Sequence, residues 1–142
     1  MPGYSDKSLA QKLGIRADTR ILPVAAPEEY SQILGELPPG AQFAASAGAS
    51  IDVAHVFAVQ EAELRRHLTA LRQQLRPDAV VWVSWPKKAA KVPTDITEDV
   101  IRACALPLGF VDVKVCAVTD VWSGLKLVVR KILRATNSDR KP

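Results

Sequence analysis

The stretch that most constrains what this chain can fold into is Ala79–Lys88, which reads AVVWVSWPKK. Its apolar part is typical of a strand buried on both faces of a sheet, and it ends in a polar, aromatic turn. Gln60–Leu75 precedes it and repeats leucine along one helical face, and the apolar run Ile51–Val59 comes before that helix. A strand, a helix and a strand in this order predict a parallel, right-handed βαβ unit.

The segments on the amino-terminal side of this unit predict shorter elements. Pro23 falls inside the first predicted strand, and proline cannot donate a hydrogen bond to a neighbouring strand. We therefore expect that strand either to be broken by a bulge or to start late. The elements are a helix at Ser5–Leu13 with Ser5 as its N-cap, a strand at Thr19–Ala26, a helix running to about Leu34 and a short strand at Ala41–Ala45.

The segments on the carboxyl-terminal side predict a helix and a hairpin. The helix spans about Asp95–Leu106, with either Thr94 or Asp95 as its cap, and Asp95 with Glu98 has the spacing of a capping box. The hairpin pairs Phe110–Val118 with Val121–Lys131, and Gly124 indicates a bulge in its second strand.

Together these elements predict a three-layer α/β fold. The sheet is Rossmann-like and mostly parallel, and an antiparallel hairpin completes it at the carboxyl-terminal end. We expect a single domain over residues 1–134 and a disordered basic tail over residues 135–142.

The net charge of +4 is concentrated at one end of the chain. Residues 126–142 contain six Lys or Arg against one Asp, whereas the other 125 residues are close to neutral. We favour a solvated terminus over a nucleic-acid-binding one, because no aromatic side chains alternate with these charges. No segment has the roughly 20 apolar residues of a membrane helix, and no signal peptide pattern is present. We therefore expect a cytoplasmic protein, with Cys104 and Cys116 as buried free thiols.

Several chemistries lack the residues that they need in this sequence. There is no phosphate-binding glycine loop, no metal-ligand cluster and no pair of carboxylates at a useful spacing. Ser84 lacks the glycine-flanked turn of a serine hydrolase. His55 lies inside an apolar strand with no second ligand at metal-binding spacing, so we expect a packed residue with a single hydrogen bond.

The candidate site lies at the predicted carboxyl end of the central strand, where open α/β sheets place their ligands. Its residues are Trp85, Lys87, Lys88, Thr94 and Asp95. Lysines beside the N-terminus of a helix favour a small anionic ligand, with Trp85 as a stacking wall. The alternative is that the lysines form a solvated turn, that Trp85 covers the core and that Asp95 is only a helix cap.

The final hairpin is the second candidate. It carries Trp122 and Lys126, and its strand is rich in Val and Leu. Such a strand favours either an exposed edge that pairs with another chain or a face of the core. In addition to the small ligand at the first candidate site, the sequence therefore predicts a homodimer contact or another protein partner at this hairpin.

Two stretches resemble class I S-adenosylmethionine-dependent methyltransferases. LRPDAVVWVSWPK resembles the strand written LxPGGxLxxxxP in that superfamily, and LGFVDVKV resembles its GFxxVxV strand, so the resemblance spans about Ile51–Lys131. It implies a Rossmann-like fold and an adenosyl cofactor held by a glycine-rich loop after the first strand and a carboxylate after the second. This chain has Val24–Glu28 and Phe43–Gly48 at those positions, without glycine in the first or a carboxylate in the second. We therefore expect no cofactor, with S-adenosylmethionine as the alternative.

Longer stretches resemble an uncharacterised bacterial family of short proteins that is known only as a domain of unknown function. They are GYSDKSLAQKLGI, VWVSWPKK, TDITEDV and LGFVDVKVCAVTDVWSGLKLV. That resemblance brings no established activity and does not supply a function. The leading hypothesis is a non-enzymatic cytoplasmic binding or interaction module that kept a methyltransferase-like scaffold and lost the cofactor loop. The alternatives are a degenerate group-transferase with a nucleotide-like cofactor and, third, a nucleic-acid-associated protein that uses the basic terminus.

Overall fold

The computed structural model describes residues 8–134 and contains one sheet flanked by helices. The strands are β1 (Arg20–Val24), β2 (Gln42–Phe43), β3 (Val53–Phe57), β4 (Val80–Pro86), β5 (Phe110–Ala117) and β6 (Trp122–Val129). The helices are α1 (Leu9–Lys12), α2 (Tyr30–Leu34), α3 (Glu61–Gln74) and α4 (Glu98–Ala105), with short 3-10 turns at Lys88–Ala90 and Leu106–Leu108.

The sheet confirms the predicted fold class. Its six strands lie in the order β2-β1-β3-β4-β6-β5. The first four pair in parallel, whereas β6 is antiparallel to both β4 and β5. The predicted βαβ unit is β3, α3 and β4, and β4 lies in the middle of the sheet between β3 and β6.

Helices cover both faces of this sheet, and each covered face has its own core. The α3–α4 face buries the leucine stripe of α3 and the apolar side of α4 against β3, β4 and β6. The α1–α2 face buries Leu13, Tyr30 and Leu34 against β1, β3 and Trp82. The indole Nε1 of Trp82 donates a hydrogen bond to the Leu13 carbonyl at 3.1 Å, so this large side chain is both packed and paired.

Pro23 is accommodated inside β1 because of where β2 ends. β2 pairs with β1 only through Arg20 and Ile21, and the last contact on that side is the hydrogen bond from the Ala44 N–H to the Ile21 carbonyl. Residues 21 and 23 have the same orientation in the strand, so the nitrogen of Pro23 faces the side on which β2 has ended. The strand is therefore continuous, and the predicted break or late start at Pro23 is wrong.

Two predicted helix starts are wrong. α1 begins after Ser8, whose hydroxyl accepts from the Gln11 N–H while the Gln11 side chain accepts from the Ser8 N–H. Ser5, the expected cap, lies outside the described residues. α4 begins after Thr97, whose hydroxyl accepts from the Val100 N–H, so neither Thr94 nor Asp95 is the cap of this helix.

The bulge in the hairpin lies on the other strand from the one predicted. The register of β5 shifts between Asp112 and Lys114, whereas Gly124 is in register with both of its neighbours. A Cβ on Gly124 would lie 3.4 Å from the Trp82 ring and 3.0 Å from a Val118 methyl group. The absence of a side chain at Gly124 therefore leaves room for the Trp82 ring on the neighbouring strand β4.

The hairpin places β6 inside the sheet and β5 at its edge. The side chains of Leu125, Leu127 and Val129 are 0%, 0% and 3% exposed and belong to the core of the α3–α4 face. Of the two interpretations of the Val- and Leu-rich strand, the core face is therefore the one observed. A homodimer through the remaining edge, β5, stays a prediction.

Both cysteines are free thiols, and Cys104 is buried as predicted, whereas Cys116 is only half-buried because it lies on the edge strand β5. Among residues 8–134 no helix has the length and apolarity that a membrane crossing requires. The predicted tail over residues 135–142 lies outside the described residues.

Gly109→Ala is expected to lower the free energy of unfolding by about 1–2 kcal/mol. Gly109 ends the turn before β5 with φ +97°, and a Cβ there would lie 2.6 Å from Leu133 Cδ1. Gly48→Ala is the matched control, since a Cβ there meets nothing within 4 Å. Urea unfolding followed by circular dichroism measures the stability of the two variants. Equal midpoints would contradict the conformational and steric role assigned to Gly109.

Candidate functional site

A pocket of about 650 Å³ opens at the carboxyl end of β4, beside the first turn of α4. Four of the five predicted site residues line it, namely Trp85, Lys87, Lys88 and Thr94. The fifth, Asp95, lies instead beside the start of α3, where it lines a groove along that helix. The full lining of this β4–α4 pocket is Trp85, Pro86, Lys87, Lys88, Val92, Thr94, Ile96, Thr97, Glu98, Asp99, Arg102 and Ser123.

The floor of the β4–α4 pocket is apolar. Trp85 is only 8% exposed and belongs to the core of the α3–α4 face, and Ile96 beside the pocket is 2% exposed. Trp85 therefore covers the core and also lines the pocket, and its role as a stacking wall for a ligand stays a prediction. Val92 adds an exposed apolar side chain at the rim.

The acidic residues of the pocket are already paired. The guanidinium of Arg102 donates to Glu98 at 2.8 Å, to Asp99 at 3.1 Å and to Asp112 at 3.0 Å. The hydrogen bond to Asp112 is the main reason that the pKa of Arg102 is raised. Within residues 8–134 neither Lys87 nor Lys88 has a carboxylate at ion-pair distance. The positive charge that remains open to a ligand is therefore that of the two lysines.

Thr94 and Asp95 fasten the loop after β4 to the end of β3. The Thr94 hydroxyl donates to the Val59 carbonyl at 2.6 Å, and the Asp95 N–H donates to the same carbonyl at 3.3 Å. Asp95 Oδ1 accepts a hydrogen bond from the Glu61 N–H at 2.7 Å, at the first residue of α3. We call these two residues the Thr94–Asp95 clamp. It supplies the cap that the Gln60 side chain does not provide.

Asp95→Ala is expected to lower the free energy of unfolding by about 1 kcal/mol, because it leaves an N–H at the start of α3 without its acceptor. Asp95→Asn keeps an acceptor oxygen and is expected to cost less. Urea unfolding of the two variants measures the difference. Equal losses would show that the carboxylate charge, and not the hydrogen bond, is what matters at this position.

In this topology a ligand is expected in the crevice between β1 and β3. The chain places β2 on one side of β1 and then returns to place β3 on the other side, so the strand order reverses at this crevice. Ala25 and Pro27 follow β1, and Ala25 has φ +56°, a conformation that glycine adopts more readily. Residues 44–51, after β2, contain no carboxylate. The Thr94–Asp95 clamp covers the end of β3. These residues do not fit an adenosyl cofactor in the place that the family resemblance implies.

A second group of polar residues is buried in the α1–α2 face. The Tyr30 hydroxyl and His55 Nδ1 are 2.8 Å apart, and His55 Nε2 and the Ser84 hydroxyl are 2.7 Å apart. Both ring nitrogens of His55 are therefore paired, and the predicted single hydrogen bond is wrong. Burial lowers the pKa of His55 to about 3 and raises the pKa of Tyr30.

The Tyr30–His55–Ser84 network places a serine hydroxyl beside a histidine, as hydrolase sites do, but its third member is a tyrosine and no substrate can reach it. His55 and Ser84 are both 0% exposed. The rings of Phe57 and His55 stack with centroids 4.4 Å apart, which closes the network further. We therefore assign it a structural role. Among residues 8–134 no three His, Cys, Asp or Glu side chains gather in a way that would hold a metal ion.

Comparison with solved structures identifies the fold class. The chain is similar to a Methanococcus jannaschii fibrillarin pre-rRNA processing protein (TM-score 0.55, 10% identity, 81% of this chain and 68% of that one). It is similar to a TehB-like SAM-dependent methyltransferase from Corynebacterium glutamicum (0.51, 8%, 80% and 82%). It is also similar to a riboflavin-derivative dimethyltransferase from Streptomyces davawensis (0.52, 15%, 79% and 50%).

The chain therefore has a Rossmann-like, methyltransferase-like α/β fold. The identities of 8–15% in these three matches show the fold and not the activity. No protein-family model and no curated protein sequence matches the chain. The resemblance to an uncharacterised bacterial family accordingly stays a prediction.

Proposed function

We propose that this chain is a non-enzymatic binding module that holds a small anionic ligand in the β4–α4 pocket of a methyltransferase-like scaffold. The observation that carries the proposal is the hydrogen bond from the Glu61 N–H to Asp95. The start of α3 is the place beside the crevice where a helix dipole and free N–H groups would attract an anionic group of a cofactor. Here the chain's own carboxylate takes that place.

The charges of the β4–α4 pocket support the choice of an anion. Arg102 pairs with the acidic side chains of the pocket and offsets part of their charge, and Lys87 and Lys88 are left without carboxylate partners among the described residues. Ammonium groups at a partly enclosed site bind phosphate or carboxylate groups as point charges. Trp85 and Ile96 form an apolar floor next to these charges. The favoured ligand is therefore a phosphate or carboxylate attached to a flat, apolar body.

The test is an amide-resolved NMR titration with two probes, adenosine monophosphate and 2-naphthoate. We expect saturable shifts confined to the β4–α4 pocket. The double variant Lys87→Gln with Lys88→Gln should weaken binding by about tenfold or more, which corresponds to about 1.4 kcal/mol. The control is Arg66→Gln with Lys131→Gln, which removes the same charge from two exposed positions outside the pocket. Shifts elsewhere, or equal binding by the two double variants, would overturn the proposal.

The second candidate is a degenerate group-transferase, and one observation favours it. Ala25 follows β1 directly and keeps a left-handed backbone, φ +56°, without a glycine. Such a conformation lets main-chain N–H groups point into a crevice, as glycine-rich loops do. This candidate predicts S-adenosylmethionine shifts at Ala25, Ala26 and Ala58 instead of at the β4–α4 pocket. The same titration therefore separates the two candidates by the location of the shifts.

A further inference from the structure

The two faces of β6 have different surroundings. On the α3–α4 face its Leu125 and Leu127 side chains are 0% exposed. On the opposite face Lys126 and Val128 are half-buried, and the neighbouring Lys114 on β5 is exposed. The α1–α2 core reaches as far as Val80, Cys116, Val118 and Trp122, whereas Val111 and Val128 lie outside it, at an end of the sheet that this core leaves uncovered among the described residues.

The uncovered end carries a concentration of positive charge. Lys114 and Lys126 are direct cross-strand partners, and like charges in that arrangement are destabilising. Lys12, at the end of α1, is near enough to Cys116, two residues along β5 from Lys114, for its charge to oppose the rise that burial produces in the pKa of that thiol. Within residues 8–134 no carboxylate lies at ion-pair distance from these three lysines. The molecule thus holds two ammonium groups on adjacent strands and a third near Cys116, without a carboxylate at ion-pair distance from any of them among the described residues.

Valines lie among these lysines. Val128 faces the same side as Lys126, and register places Val111 opposite Val128 on that side. Val80 packs at the border of the α1–α2 core and is half-buried. We call this surface the basic face and define it by Lys12, Lys114, Lys126, Val80, Val111 and Val128.

We propose that the basic face binds an acidic protein segment that also carries apolar side chains. The ammonium groups would pair with its carboxylates, and its apolar side chains would cover the valines. The proposal concerns a surface away from the β4–α4 pocket and does not rest on the function proposed for that pocket.

Charge complementarity selects this partner over the alternatives. The ends of the chain outside the described residues supply no excess of acid, since residues 1–7 hold Asp6 and Lys7, and residues 135–142 hold one Asp beside two basic residues. A second copy seated symmetrically on this face would bring the same lysines together. A nucleic acid would leave the valines uncovered, and the basic face has neither arginine nor an aromatic side chain on which bases could stack.

The proposal predicts opposite effects of one variant on stability and on binding. Lys114→Gln with Lys126→Gln removes the like-charge pair, so the urea midpoint is expected to rise or to stay unchanged. The same variant is expected to bind an acidic segment at least about tenfold more weakly. Lys114→Arg with Lys126→Arg keeps the charges and should keep the binding. A merely structural role for the lysines would instead lower the midpoint in the glutamine variant.

The probe is a synthetic peptide of about 16 residues with Glu on one helical face and Leu on the other, titrated into the full chain and followed by amide NMR shifts. We expect saturable shifts on the basic face that weaken as salt is raised from about 50 to about 200 mM. A peptide with Gln in place of Glu should not bind. The proposal is overturned if neither peptide shifts the basic face, if both bind it equally, or if single-stranded DNA binds it more tightly than the acidic peptide. The charge control is again Arg66→Gln with Lys131→Gln, which should bind like the unaltered chain.

Discussion

His55→Ala is expected to lower the free energy of unfolding by about 4 kcal/mol, a larger loss than we expect from the other substitutions proposed for this chain. The imidazole is 0% exposed and links the Tyr30 hydroxyl to the Ser84 hydroxyl through both ring nitrogens. Its removal leaves a cavity in the α1–α2 core and two buried hydroxyl groups without partners. Urea unfolding near pH 7.5, followed by circular dichroism, measures the loss.

Tyr30→Phe is the control for this prediction. It removes one hydroxyl from the network and keeps the ring that packs edge-on against Phe57. We expect it to cost about 1–2 kcal/mol, because only one buried acceptor or donor on His55 loses its partner. A loss of less than about 1 kcal/mol in His55→Ala would show that the network does not stabilise the core.

The second large effect is a loss of stability in acid. Burial lowers the pKa of His55 from 6.5 to about 3, so the folded chain holds this residue neutral where the unfolded chain binds a proton. The stability that the neutral His55 imidazole contributes is retained above about pH 6.5, and it is lost as the pH falls toward the pKa of His55 in the folded chain. The slope approaches about 1.4 kcal/mol per pH unit below about pH 6, and the expected loss between about pH 6.5 and about pH 4.5 is therefore about 2 kcal/mol.

His55→Gln separates this effect from other acid-sensitive groups. Burial also lowers the pKa of His67, and Asp52 has a lowered pKa because hydrogen bonds from Arg20 and Arg76 outweigh its burial. Both of these remain in the glutamine variant, which has no imidazole at position 55. We expect its unfolding free energy to depend less on pH than that of the unaltered chain over this range. Parallel curves of unfolding free energy against pH for the two proteins would contradict the assignment of this acid sensitivity to His55.

The sheet can be predicted from the sequence because its signals are local. The leucine repeat of α3 and the apolar runs on either side of it fix a βαβ unit within about 35 residues. Pro23 is misleading, because a proline in a strand is costly only where a neighbouring strand faces its nitrogen. The point at which β2 ends is a property of the assembled sheet, and no pattern within β1 reports it.

The partners of Asp95 and His55 cannot be predicted from local patterns, because they are distant in the chain. Asp95 has the local spacing of a helix cap, yet it caps a helix whose first residue, Glu61, is 34 positions away. His55 is a packed residue, as predicted, but its two partners lie 25 and 29 positions away on other elements. The usable signal is that a buried polar side chain in an apolar strand requires partners. Ser84, another polar residue inside a buried strand, is a candidate on that ground.

The pocket can be predicted only in part. Trp85, Lys87 and Lys88 are adjacent in the sequence and follow one strand, so their proximity needs only the correct assignment of β4. Arg102 is absent from the predicted site, although its spacing of four residues from Glu98 is the spacing of a helical ion pair. Ser123 lines the pocket because β6 pairs with β4 opposite Trp85, and that register follows from the hairpin as a whole.

The most direct test of the proposed binding module is an amide-resolved titration of the chain with S-adenosylhomocysteine, beside adenosine monophosphate as the second ligand. We expect no saturable shifts at Ala25, Ala26 or Ala58 with the first ligand, and saturable shifts at Lys87, Lys88 and Thr97 with the second. Saturable binding of S-adenosylhomocysteine at the crevice between β1 and β3, tighter than about 100 μM or about −5.5 kcal/mol, would contradict the proposed function. That result would mean that the Thr94–Asp95 clamp opens and that the chain is a cofactor-dependent transferase.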